Sequence, residues 1–191
     1  MRARLFLYLF DKLMQGLVEC LHGYTCESLE IAMSKIDVLI KESLLEDGTI
    51  LLLRDKYIGI RGCMELATKE VLKSVKQLIV PGNQILDEGL EALADSPYLQ
   101  NLELLNINHN DIGDDGAVAL ANSENLPKLK IVTMFGNTVG DIGAQAFANS
   151  PQSKKYVKLD LFKNQYSDIG YKALTESDNL KNCEELEVYR D

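Results

Sequence analysis

Apolar residues along this chain recur in two alternating rhythms. Pairs separated by a single residue come at Leu51/Leu53, Leu78/Val80, Leu105/Ile107, Val132/Met134, Leu159/Leu161 and Leu186/Val188, each pair 27 residues beyond the last. Such alternation places one set of side chains on one face of a short strand. After each strand the apolar spacing widens, through Ile58, Ile85, Ile112, Val139 and Tyr166 and then Leu66, Leu93, Leu120, Phe147 and Leu174. A gently amphipathic helix is therefore predicted after each strand.

The polar residues keep the same register. Asn83, Asn110, Asn137 and Asn164 mark it, and the same step leads back to Lys56 and forward to Asp191. Self-similarity at this period is the signature of a solenoid. An asparagine amide both donates and accepts, so it is expected to satisfy loop backbone that turns away from the strand. Asp87, Asp114, Asp141 and Asp168 come four residues later, where each helix begins. A carboxylate there caps free amides at the positive helix end, and this recurrent role accounts for the Asp114-Asp115 pair without calcium. Gly62, Gly89, Gly116, Gly143 and Gly170 are expected to let helix and strand approach closely.

From Leu102 the chain runs LELLNINHNDIGDDGAVALANSENLPK. This resembles a leucine-rich repeat of the ribonuclease-inhibitor-like type, and the short array of simple DIG-x-GA-x-AL copies is similar to bacterial effector leucine-rich repeat proteins. The pattern L-x-x-L-x-L-x-x-N-x-I-G-D-x-G-A-x-A-L-A is nearly complete in the copies at Asn110 and Asn137. The resemblance implies an α/β, right-handed leucine-rich repeat solenoid with one parallel strand and one helix per repeat. Residues 48–191 are expected to form the array, about five repeats plus a terminal strand, and residues 1–47 a helical N-terminal cap.

Within 1–47, a largely buried helix is predicted from about Ala3 to Leu21, ended by His22-Gly23. A second helix is predicted from an N-cap at Thr25, with Leu29, Ala32, Met33, Ile36, Leu39 and Ile40 at helical spacing. A solenoid exposes the apolar end of its first repeat unless something covers it, so capping is preferred over an adaptor segment such as an F-box, whose leucine-proline opening is missing. The first copy is degenerate, with Lys56 in place of asparagine. In the fifth, Ser153 replaces a leucine in the return segment Pro151–Lys155, and an irregular outer surface is expected there.

Composition narrows the partner. A formal charge of −9 disfavours nucleic acid and anionic membrane. Arg2, Arg4 and the apolar run Leu5–Phe10 are cut short by Asp11 and Lys12, below the length of a signal-peptide core. Cys20, Cys26, Cys63 and Cys183 fall in no framework spacing, which fits reduced thiols in the cytoplasm, or in a host cytosol for a delivered effector. Cys20, His22 and Cys26 are one ligand short of a structural zinc site. No cofactor and no metal are expected.

The functional residues are sought on the concave sheet face, because the leucine positions already fill the inward one. Two residues before each anchor stand Arg54, Pro81, Asn108, Phe135, Phe162 and Tyr189, a row that ends in three aromatics. Ile79, Asn106, Thr133, Asp160 and Glu187 flank it, with His109, Lys163 and Arg190 nearby. Clustered aromatics with a charged rim suit the centre of a protein interface, although the same rings would also stabilise neighbouring strands. His109 has no serine, cysteine or second histidine in register to build a nucleophile site, so polar contact is expected of it.

These features predict a non-enzymatic module that binds another protein on its concave face. Resemblance to ribonuclease inhibitor implies a version that covers and inhibits a partner enzyme. The alternatives from similar repeats are a GTPase-activating protein, which needs a loop arginine or asparagine at the rim, and a ubiquitin-ligase adaptor. Self-association through the edge of a sixth strand is a further expectation.

Overall fold

The fold comes from a computed structural model, described for residues 34–45 and 47–188. Helix α1 spans Lys35–Ser43, and five strand-helix units follow: β1 Ile50–Leu52, α2 Gly59–Ala67, β2 Gln77–Ile79, α3 Leu86–Ala94, β3 Leu104–Asn106, α4 Asp114–Asn122, β4 Ile131–Thr133, α5 Asp141–Asn149, β5 Lys158–Asp160 and α6 Asp168–Thr175. Strand β6, Glu185–Glu187, completes a six-stranded sheet in the order β1 to β6. Every pair is parallel and in one register, Leu51 beside Leu78, Leu105, Val132, Leu159 and Leu186 in turn. The chain is thus an open leucine-rich repeat α/β solenoid.

Hydrophobic periodicity becomes a single core. Leu51, Leu78, Leu105, Val132 and Leu159 are buried, as are the residues two further on, from Leu53 to Val188. The helix residues Leu66, Leu93, Leu120, Phe147 and Leu174 meet them from the other side. Each such side chain contributes about 1.5–3 kcal/mol by leaving water, so the repeats are held mainly by this stripe.

Backbone that leaves the core is satisfied by side chains of neighbouring repeats. Asn137 Oδ1 accepts from the amides of Asn110 (2.9 Å) and Ile112 (3.1 Å), and its Nδ2 donates to the carbonyls of Ile107 and Met134. Asn83, Asn110 and Asn164 make equivalent bonds to the repeat before them. A second ladder was not read from the sequence. Ser96, Ser123, Ser150 and Ser177 each donate to the last helical turn of the preceding repeat, at the carbonyls of Ala67, Ala94, Ala121 and Ala148.

The aspartates serve a different helix from the one they begin. Asp114 Oδ1 accepts from Gly140 (2.7 Å) and Gly143 (2.8 Å), at the start of α5, whereas Asp114 itself opens α4. Asp87 does the same for Gly113 and Gly116, and Asp141 for Ser167 and Gly170. The glycines need their small size for the same reason. A Cβ at Gly143 would stand 2.8 Å from Ala117 Cβ and 2.9 Å from Asp114 Oδ1, so the close approach is between successive helices rather than between helix and strand.

Two further expectations are corrected. The helix that carries Ile36 and Ile40 has its N-cap at Ser34, whose hydroxyl accepts from the Asp37 amide, and so does not run unbroken from Thr25. Pro151–Lys155 is not irregular: it is a 3₁₀ turn like Glu70–Ser74 in the first repeat, with Ser153 buried at the leucine position. Tyr156 and Phe147, with ring centroids 6.2 Å apart, are both buried in the core of this repeat.

Helix α1 packs on α2 and β1, with Ile36 and Ile40 buried in the common core. The predicted helix over 3–21, Thr25, the Cys20, His22 and Cys26 grouping, Tyr189, Arg190 and Asp191 lie outside the described residues. No described helix is long and apolar enough to cross a membrane.

Candidate functional site

Each strand presents its first and last residues to the helix-free face, the row of Phe135 and Phe162 follows two positions on, and the local bonding differs from repeat to repeat. Asn106 Oδ1 accepts from the Asn108 amide at 3.2 Å, and Asp160 Oδ1 accepts from the Phe162 amide at 3.0 Å. Between them the pattern breaks. The Phe135 amide goes to Asn108 Oδ1 at 2.9 Å, and the Thr133 hydroxyl is left buried without a hydrogen-bond partner.

The residue just before each anchor is left-handed throughout: Asp55, Gly82, His109, Gly136 and Lys163 have φ between 52° and 70°. This turn brings His109 and Lys163 onto the aromatic row. The His109 ring meets Phe135 edge-on, with centroids 5.0 Å apart, and Lys163 Nζ lies 5.6 Å from the Phe135 centroid. Gly136 makes room for the histidine, because a Cβ there would come within 2.6 Å of His109 Nδ1.

Phe135 and Phe162 stack with centroids 5.7 Å apart and planes at 28°. They are half-buried rather than fully exposed, since each covers the other and the strand beneath. The rest of the predicted row does not join them in one patch. Arg54 is exposed just beyond the first strand and Pro81 is buried, while the Asn108 side chain accepts from the Phe135 amide. Ile79 and Asn106 lie half-buried on neighbouring strands.

A shallow hollow of about 320 Å³ opens beside the rings, lined by Phe135, Lys158, Asp160, Phe162 and Glu187. Lys158 was missed in the sequence because only two of the three outward positions of each strand were followed. Extending the alternation one step back, to Ile50, Gln77, Leu104, Ile131, Lys158 and Glu185, finds it. Lys158 Nζ pairs with Glu185 Oε2 at 2.6 Å, which raises its proton affinity. Burial holds the Asp160 carboxyl above the usual carboxylate range, and the charge of Glu187 adds to the shift against the opposing effects of the Phe162 amide and Lys158.

A larger hollow, about 600 Å³, lies on the helix side between α5 and α6, and no aromatic ring lines it. The concave hollow combines rings, charge and a free face, and is the candidate site. Among the described residues no group of three or more His, Cys, Asp or Glu side chains converges as a metal site would.

Comparison with known proteins agrees with this architecture. Residues 71–94, 98–121 and 125–148 match the family model described as Leucine Rich repeat. Proteins built on such repeats generally bind other proteins. No curated protein matches the sequence. Among solved structures the chain is similar to one titled Leiomodin-1 Actin-Binding Site 2 (ABS2), with a TM-score of 0.59 and 16% identity over 79% of this chain and 90% of that one. At that identity the likeness is one of fold.

Proposed function

We propose that this chain is a non-enzymatic protein-binding module whose concave face engages its partner at Phe135 and Phe162, with His109 and Lys163 at their edge. The observation that carries this reading is the stacked, half-buried ring pair beside an open hollow on the only sheet face that the described helices leave uncovered. Rings that are part-desolvated before binding have lost mobility already, so a partner that completes their burial gains apolar contact at low entropic cost. Asn106, Thr133, Asp160 and Glu187 supply the polar surround, and Ile79 and Arg54 lie toward the first repeat. In its narrower form the reading has the face cover a partner enzyme, as the resemblance to ribonuclease inhibitor implies.

The segment that precedes the array, within 1–47, is proposed to cap it. The burial of Ile36 and Ile40 against the first repeat supports this.

The test is affinity capture from lysate of the source cells with the wild-type chain and with Phe135→Ala/Phe162→Ala as baits. A captured set lost from the double variant, with an unchanged circular dichroism spectrum, is the expected result. An identical set on both baits would overturn the reading.

A further inference from the structure

We propose that the hollow beside Phe135 and Phe162 receives an arginine side chain from an extended segment of the partner, its guanidinium paired with Asp160 and Glu187 and lying against the phenylalanine rings. This rests on the concave-face reading above and adds the chemistry of the partner.

The open face changes character along the array. Apart from Arg54, just beyond β1, strands β1 to β4 present no charged side chain to it, whereas β5 and β6 present Lys158, Asp160, Glu185 and Glu187. Lys158 is engaged by Glu185. Asp160 and Glu187 are then left side by side in register on neighbouring strands, about 4.8 Å apart along the sheet. Like charges placed directly across a pair of strands repel, and one of these carboxylates is half-buried. Burial raises the proton affinity of Asp160, and the neighbouring Glu187 charge adds to it.

The geometry selects among cations. Lys163 over the Phe135 ring shows that the ring already attracts a cation from within the chain. An arriving group must satisfy two carboxylates and lie against a ring face at the same time. A guanidinium does both, being planar and forked, whereas an ammonium is a compact point charge. The hollow, about 320 Å³, has room for one long side chain. The net charge of −9 draws a basic segment in from a distance.

The experiment uses degenerate extended peptide pools whose fixed central residue is Arg, Lys, Gln or Glu, titrated against the full chain by fluorescence anisotropy. The Arg pool is expected to bind about tenfold more tightly than the Gln pool, with Lys between them. Asp160→Asn and Glu187→Gln should each remove most of that preference, and the distant Glu88→Gln should leave it intact. Thermal melts check the fold, and Asp160→Asn is expected to melt no lower than wild type because it relieves a repulsion. If the pools bind alike yet binding still needs Phe135 and Phe162, the arginine proposal falls and the concave-face reading stands. If the double phenylalanine variant binds the pools as wild type does, both fall. Lysine above arginine, or no binding by any pool, overturns the proposal.

Discussion

Helices α2 and α3 begin differently from α4, α5 and α6, although the same position of the repeat is involved. At Gly59 and Leu86 the backbone is left-handed, and the amide donates forward to the carbonyl of the next anchor, Asn83 or Asn110. At Gly113, Gly140 and Ser167 the backbone is extended, and the amide donates backward to Asp87, Asp114 or Asp141. The difference follows from one residue in the repeat before. Ile60 stands where the later repeats have aspartate, so α3 has no carboxylate to point at and α2 has no preceding repeat of its kind among the described residues. A degenerate position thus takes effect one repeat further along, and obliges Leu86, a branched side chain, to adopt a conformation better suited to glycine.

The asparagine ladder runs through both regions, so it sets the baseline for testing this contrast. Asn83→Ala and Asn137→Ala should each cost about 3 kcal/mol in urea denaturation, because each leaves several buried backbone groups unpaired. A trivial loss at either would show that the regions differ in more than helix entry. Asp114→Ala should cost about 2 kcal/mol, and should speed hydrogen exchange at the Gly140 and Gly143 amides while leaving the start of α3 unchanged. Exchange that stays slow at both glycines would contradict backward capping.

Smaller effects sharpen the contrast. Leu86→Gly should raise stability by about 0.5 kcal/mol, since release from the left-handed region outweighs the lost contact and the added chain entropy. Gly59→Ala should lower the melting temperature at the equivalent site. The weakest signal is in acid. Donation by the Ser167 hydroxyl, with the amides of Ser167 and Gly170, holds the Asp141 carboxyl below its ordinary value of 3.8. A depressed carboxyl stabilises the fold fully above its ordinary value and loses that contribution as pH falls through the folded one. Asp141→Asn should therefore flatten the acid limb of the stability curve, and an unchanged limb would count against the bond.

The core and the asparagine bonds were legible because both depend on residue type at a fixed offset. Leucine alternation defines a face, and an amide at the turn has few tasks open to it. The destination of the aspartates was not legible. Periodicity tells that a carboxylate recurs, but not whether it reaches its own helix or the next, since both stand at the same phase. The serine ladder escaped for the same reason. At the site, the Phe135 and Phe162 pairing followed from strand register alone. The approach of His109 and Lys163 required the left-handed turn before each anchor, which glycine signals at Gly82 and Gly136 but histidine and lysine do not.

The forward reach of the aspartates gives the array a direction in time. When α5 forms, the carboxylate that receives its first amides belongs to a segment made earlier, and the same holds for α4 and α6. During synthesis from the N-terminus each new helix emerges beside an acceptor already in place. A chain started from the other end would have to nucleate every helix with its end groups open. The aspartate bonds favour growth in the order in which a ribosome supplies the chain, whereas the asparagine bonds close each repeat only when the next one arrives.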